Sequence, residues 1–407
     1  MAAKREKGQG RHRFIWRLVR WPVILLLKLK FNYTMETAPD VPRPYIVLSN
    51  HNTDWDPVLV GSAFKKQMYY VASEHIFRRG WISKLLYWLM APIARTKGST
   101  DGAAAMSILR TLKRGNNVCI FPEGNRSWNG VTGPLHPTTA KIVKASKTAL
   151  VTFKMTGGYL TSPRWCLSNR RGRMHGRVEN VYTAEQIAGM SEEELMSAIE
   201  RDLYEDAFET QRGEMTPYKG HVIASRLETA LYVCPKCGGL CTMHSYDTRF
   251  YCSDCGLSVI YNPYGFFENG NNDVTFSTVY EWDVWQEKKL REMDFSSDPI
   301  FTDEDQTLLE IDGDHTSKVI AEGTMTLHPD RLEIGEFSVK LSDISQMALH
   351  GRETIVFSSR GANYEVYSVK SRSGRKYVTV IEILTERAAA QAAAEQIPAS
   401  SEEKGDE

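Results

Sequence analysis

Residues 44–60, PYIVLSNHNTDWDPVLV, hold an apolar, β-branched run, a polar turn, and a second apolar run opened by Asp56-Pro57. The first run reads as a strand bounded by turn residues. Asp56-Pro57 reads as a helix start, with Asp at the cap and Pro, its φ already helical, at the first position. His51 therefore leaves a strand end, and a short turn lets Asp56 face back toward it. A carboxylate beside an imidazole fixes its tautomer and supports the imidazolium that forms when the ring takes a proton. That is the equipment of a general base, worth about 10²- to 10⁴-fold. Asp54 is the alternative partner at this level of reading.

Working outward, the same alternation continues from Val41 to Glu209. MYYVAS, NVCI and TALVTFKMT read as strands, and PVLVGSAFKK, WISKLLYWLMA and DGAAAMSILRTLKRG as helices. Ser191 with Glu194 forms a capping box for SEEELMSAIERDLYEDAF. Strands alternating with helices predict an α/β domain. Its second motif is FPEGNRSWNG, residues 121–130, which follows the strand NVCI at the end where α/β proteins place their sites. Gly124 permits a tight turn, Glu123 projects a carboxylate, and the Arg126 guanidinium suits bidentate phosphate binding. Arg95, ending the short strand of APIAR, offers a second phosphate contact.

Asn50-His51 with Asp56 after four intervening residues, then Arg95, then FPEGNRS resemble the glycerolipid acyltransferases of the glycerol-3-phosphate and lysophosphatidate acyltransferase superfamily. The resemblance covers about residues 15–210, and its two outer motifs are far more specific together than apart. It implies phospholipid-biosynthetic transfer of an acyl chain from an acyl-CoA or acyl carrier protein thioester to a hydroxyl of a lysophosphatidate-type acceptor. It further implies His51 as the base, Asp56 as its orienting partner, Arg95 and Arg126 on the acceptor phosphate, and Glu123 and Gly124 shaping the acceptor site. Glycerol-3-phosphate or another lysolipid is the alternative acceptor, and a non-catalytic lipid-binding scaffold the alternative function. Thr53 stands where the family often has Ser, and Asn125 where Thr is usual. TALVTFKM lacks the family's Pro-containing apolar block.

Composition bounds the rest. With 407 residues, 42% hydrophobic and 25% charged, the chain is ordinary in its usage and long enough for two or three domains. Its 50 Lys+Arg balance 50 Asp+Glu, which excludes nucleic-acid wrapping by bulk charge. The balance hides a basic front end: residues 1–33 carry nine basic residues against Glu6 alone, a net charge of +8. The longest uncharged apolar stretch there, Trp21 to Leu27, is far short of the roughly 20 residues that cross a bilayer. No small-residue cleavage site follows it, so a secretory signal is not expected. As a helix, Arg13, Arg17, Arg20 and Lys28 fall near one face, with Phe14, Leu18, Trp21, Leu25 and Leu26 over the other, and Pro22 is expected to kink or restart it. A basic, Trp-containing amphipathic segment fits the headgroup plane of anionic lipid, which predicts a peripheral protein on a cytoplasmic membrane face. Arg164, Arg170, Arg171, Arg173 and Arg177 form a second basic run, equally readable as a lipid-phosphate surface or a solvated loop.

Seven cysteines without a secretion signal indicate a reducing compartment. Cys234 and Cys237 in CPKCG, with Cys252 and Cys255 in CSDCG, have the spacing of a four-thiolate zinc ribbon, each Gly permitting the knuckle. The expected zinc is structural, because the ribbon's own segment is not basic and no nucleic acid is expected as partner. Cys241 and His244 have worse spacing. The resulting division is a basic membrane-surface segment 1–33, an acyltransferase domain 34–212, a linker 213–230, the ribbon 231–260, a β-rich domain with a C-terminal helix over 270–396, and an acidic tail 397–407. The β-rich part loosely resembles a pleckstrin-homology-like domain. Oligomeric state is not readable from the sequence.

Overall fold

The computed structural model describes residues 9–73, 92–95, 101–270, 276–312, 316–368 and 373–395. It divides into two units, Met1–Asp283 and Val284–Glu407. The helix expected over WISKLLYWLMA and the acidic tail lie outside the described residues.

The first unit is built on a seven-stranded sheet. Its strands are β1 (Tyr33–Met35), β2 (Tyr45–Ser49), β3 (Met68–Ser73), β4 (Ile93–Arg95), β5 (Asn117–Ile120), β6 (Ala149–Thr156) and β7 (Met174–Tyr182), in the spatial order β1-β7-β6-β2-β5-β3-β4. Every pairing is parallel except β6 with β7. Strand β2 is buried throughout, as a central parallel strand must be. Its alternation sends Tyr45 and Val47 to one face and Ile46 and Leu48 to the other. On the first face it packs with α1 (Gln9–Phe31) through Leu27 and Phe31, and with α2 (Asp56–Ala63) through Leu59 and Val60. On the second it meets Ile108 and Leu112 of α3 (Asp101–Lys113) and Val143 of α4 (Thr139–Ser146). Short α5 (Ala184–Gly189) and α6 (Glu192–Leu203) complete that layer, adding Ile187, Leu195 and Ile199.

The chain steps to one side of β2 for β3 through β5 and to the other for β6 and β7. The carboxyl ends of β2 and β5, paired at Leu48 and Ile120, lie beside this switch, where open α/β sheets bind ligands. The Ser191–Glu194 capping box forms with both of its bonds. The helix it opens stops at Leu203, because the Asp206 carboxylate caps a separate helix, α7 (Ala207–Glu214), through the amides of Phe208 and Glu209. Strand β7, MHGRVENVY, is a sequence of mixed polarity that the apolar pattern does not reveal.

Residues 213–230 are packed rather than free: Tyr218, Ile223, Ala224 and Leu227 are buried. They lead into a four-stranded antiparallel sheet of β8 (Met243–Tyr246), β9 (Arg249–Cys252), β10 (Ser258–Tyr261) and β11 (Phe267–Asn269). Helix α8 (Val279–Glu292) carries Trp282, which packs on Phe250 and Phe267.

The second unit has β12 (Phe301–Ile311), β13 (Ser317–Leu327), β14 (Arg331–Ile334), β15 (Phe337–Lys340), β16 (Ile344–His350), β17 (Thr354–Ser359) and β18 (Ala362–Ser368). A four-strand and a three-strand antiparallel meander join through β12 and β18, and α9 (Gly374–Glu395) follows with Tyr377, Val380 and Ile381 buried. This is the expected β-rich body with one C-terminal helix.

Helix α1 departs from expectation. It is helical through Pro22. Its inward face is His12, Arg20, Leu27 and Phe31, while Phe14, Leu18, Trp21, Leu25, Leu26 and Leu29 are exposed. Arg20 is thus not part of an outer basic face. Its Nε donates to the Ser62 carbonyl at 3.0 Å, and burial lowers its pKa.

Candidate active site

His51 lies two residues beyond β2, on the loop that returns into α2. Its Nδ1 is 2.8 Å from Asp56 Oδ2. The ring stacks on Phe121, centroids 4.7 Å apart, and remains 21% exposed. Nε2 has no hydrogen-bond partner among the described residues, so it is the nitrogen available to a substrate hydroxyl.

Asp56, not Asp54, is the partner, and the expected cap is reversed. Trp55 occupies the N-cap without a side-chain bond, and Asp56 is the first helical residue. Its carboxylate instead folds back over the loop. Oδ2 accepts from the amides of Asn52 (2.6 Å) and Thr53 (2.9 Å), and Oδ1 from the Thr53 hydroxyl (2.6 Å). With no exposed surface, the carboxylate finds its hydrogen-bond partners in these donors, and they fix it against the imidazole. Asn50 locks the loop from below, its side chain donating to Met155 O and accepting from Met155 N, both at 2.8 Å.

FPEG closes over this loop from β5. Gly124 has φ +69°, the left-handed conformation that its lack of a Cβ permits. Glu123 accepts from His51 N at 2.6 Å through Oε1 and from Gly133 N at 3.0 Å through Oε2. Glu123 is therefore a brace on the His51 backbone. Burial pushes its carboxyl up to about 7 despite those two bonds.

Arg126 is also a brace. Its Nε donates to Asn52 O at 2.9 Å and Nη2 to Ser162 O, while Nη1 faces Asp54 at 3.1 Å. Asp54 is 83% exposed, so Nη1 is the part of the guanidinium that a phosphate can take over. Arg95 ends β4, but its side chain lies outside the described residues.

The second basic run divides. Arg164 is buried over the Trp128 ring and donates to Arg126 O at 3.2 Å. Arg170, 2% exposed, lies over Trp165 and Tyr261 and donates to the Tyr261 hydroxyl and the Ile223 carbonyl. Neither forms a lipid-facing surface. Trp165 in turn donates to Tyr159, which donates to Trp128 O. The small β8–β11 sheet is thereby packed against the segment that holds Arg126, a role for Tyr261 and Arg170 that their mixed sequence surroundings do not signal.

The four ribbon cysteines converge. Their sulfurs all lie within 4.8 Å of one another, with Cys234–Cys255 at 3.6 Å and Cys237–Cys252 at 3.8 Å. Thiolates about 2.3 Å from a tetrahedral zinc are about 3.8 Å apart, so the donor set fits that ion. Gly238 and Gly256 adopt φ +72° and +70° at the knuckles. Cys241 and His244 are exposed and outside the cluster.

The comparisons with known proteins fall on this part of the chain. Residues 31–156 match the Acyltransferase family. The matched residues include His51, Asp56, Arg95, Glu123 and Arg126. A 1-acyl-sn-glycerol-3-phosphate acyltransferase of Streptococcus pneumoniae (strain ATCC BAA-255 / R6) is 29% identical over 143 residues, covering 33% of this chain. The chain spans 51% of that relative's length. The crystal structure of the 1-acyl-sn-glycerophosphate (LPA) acyltransferase PlsC from Thermotoga maritima aligns with a TM-score of 0.42 at 16% identity, over 52% of this chain and 84% of that one. Among the described residues no helix is long and apolar enough to cross a membrane.

Proposed function

We propose that the chain is a phospholipid-biosynthetic acyltransferase, moving an acyl group from an acyl thioester to a hydroxyl of a lysophosphatidate-type acceptor. The observation that carries this reading is the 2.8 Å contact of His51 with a fully buried Asp56, at the carboxyl edge of an acyltransferase segment. His51 Nε2 takes the acceptor's hydroxyl proton as the oxygen attacks the thioester carbonyl. The C–O bond forms, the C–S bond breaks, and the thiolate leaves with a proton. Asp56 holds Nδ1–H and stabilises the imidazolium. Glu123 fixes the His51 backbone, and Gly124 supplies the turn that brings it there. Arg126 receives the acceptor phosphate at Nη1 in place of Asp54, with Arg95 as the second cation.

Both substrates are amphiphiles, and α1 supplies a way to reach them. Its six outward apolar side chains include Trp21 at 70% exposure, while its inward face is already occupied. Such a stripe, rimmed by Arg17, Lys28 and Lys30, suits the headgroup boundary of an anionic leaflet. This supports a peripheral location on a cytoplasmic membrane face. The four cysteines would hold a structural zinc, which would neutralise the thiolates and fix the knuckles at one end of the β8–β11 sheet. The meander topology of the second unit supports the pleckstrin-homology-like reading.

The test is acyl transfer by purified protein, with coenzyme-A and carrier-protein thioesters against lysophosphatidate, glycerol-3-phosphate and other lysolipids. Acylated lysophosphatidate is the expected product. Failure with every acceptor would leave the lipid-binding scaffold.

A further inference from the structure

Beyond His51, the first unit contains a cleft of about 570 Å³ between the β6–β7 edge and α7. That volume is typical of a small-molecule site, but the lining is not typical. Tyr204 is its one large ring, so no acyl chain is accommodated here. The strand wall is cationic: Lys154, Arg173, His175 and Arg177. The opposite wall, running into α7, is anionic: Glu205, Asp206, Glu209 and Glu214.

The walls are partly built in. The Lys154 side chain is 12% exposed, and its ion pair is with Glu179 at 3.6 Å, an anion it shares with Arg177. Glu205 is 5% exposed, with one oxygen accepting from Thr210 at 3.3 Å. Arg173 and Glu214 reach across one end at 3.5 Å. A purely anionic ligand would gain from the strand wall and be repelled by the helix wall, and a purely cationic ligand the reverse. A ligand with one charge of each sign satisfies both.

The cleft is also tied to the active-site loops. Lys154 and Thr156 flank Met155, whose backbone clasps Asn50 beside His51. The Glu205 backbone pairs with Thr132, adjoining the Gly133 amide that binds Glu123.

We propose that this cleft binds a phospho-amine, a small zwitterion with one phosphate and one ammonium group. The phosphate lies on Lys154 and Arg177, and the ammonium on Glu209. Such a group is the head of a zwitterionic lysophospholipid, or a free phospho-amine. Only the first assignment involves a lipid, and it makes the cleft a site separate from the one that takes the lysophosphatidate-type acceptor at Arg126.

The test is calorimetric titration of the full-length protein without acyl donor, so it is read independently of catalysis. Phosphoethanolamine should bind at least ten-fold more tightly than glycerol-3-phosphate, inorganic phosphate or ethanolamine. Glu209→Gln, on an exposed site that tolerates it, and Lys154→Met should each weaken phosphoethanolamine at least ten-fold, with the thermal transition of Glu209→Gln unchanged. Displacement of the probe by lysophosphatidylethanolamine micelles assigns the site to a lipid head. Absence of displacement assigns it to the free phospho-amine. Equal binding of glycerol-3-phosphate, displacement by lysophosphatidate, or wild-type affinity in Glu209→Gln overturns the proposal.

Discussion

Replacing Glu123 with Gln separates the two things this carboxylate does: it accepts from the His51 and Gly133 amides, and it becomes charged in a buried place. A carboxyl that ionises near 7 instead of its ordinary 4.5 is one whose charged form the fold disfavours. At about 1.36 kcal/mol per pH unit of displacement, the disfavour reaches about 3 kcal/mol. The sign follows from which state holds the proton. Between pH 4.5 and 7 the folded protein keeps it and the unfolded chain has lost it, so this contribution to stability is complete below 4.5, falls as pH rises, and is flat above 7. From pH 5 to pH 8 the wild type should lose roughly 2–3 kcal/mol through this group. The amide of Gln does not titrate, so that loss disappears. It also cannot accept at both ends, so one backbone N–H is left unpaired at about 1–3 kcal/mol at every pH. Glu123→Gln should therefore be clearly destabilising at pH 5 and markedly less so at pH 8. Glu205, also pushed up to about 7, titrates in both proteins and cancels in the difference. Denaturant unfolding of both proteins at the two pH values, following the transition that the substitution moves, gives the comparison. An equal penalty at pH 5 and pH 8 would refute the reasoning.

Three further outcomes follow from the same geometry. Arg126→Ala should raise the KM for a phosphorylated acceptor and, by freeing Asn52 O and Ser162 O, lower kcat as well; an unchanged KM would remove its phosphate role. Trp21→Glu with Leu25→Glu should weaken binding to anionic vesicles at least ten-fold while leaving the fold intact, because both side chains point away from the protein; unaltered binding would dispose of the lipid-facing stripe. Metal analysis should return about one zinc per chain in the wild type and none in Cys252→Ser, whose thermal transition should fall by several degrees. Absence of zinc from the wild type would end the ribbon assignment.

The sequence made the sheet legible where burial is two-sided. MYYVAS and TALVTFKMT are bounded in the structure almost as read, because strands with neighbours on both sides and helices on both faces need largely apolar runs. It was silent on β7 and β12, MHGRVENVY and FTDEDQTLLEI, which lie half in solvent and carry charges, Arg177 and Glu179 in the first and the consecutive Asp303, Glu304 and Asp305 in the second. His51 with Asp56 was legible because only four residues separate them, across the turn that opens α2. The double clasp of Asn50 on Met155 was not, since it joins residues 105 positions apart. The inward turn of Arg20 and the buried stacking of Arg170 escaped for a related reason. Arginine reads as surface until a carbonyl and an aromatic face are placed beside it, and only the tertiary fold places them. Helix α1 passing through Pro22 shows the opposite case, a local rule outweighed by the anchoring of Leu27 and Phe31 beyond it.

The measurement closest to the central claim is the turnover of His51→Ala in the thioester-to-lysophosphatidate assay, with a matched check of folding. The account predicts a loss of at least about 10³-fold with the acceptor's KM nearly unchanged, since the ring removes a proton and binds little else. Turnover within a few-fold of wild type would contradict it.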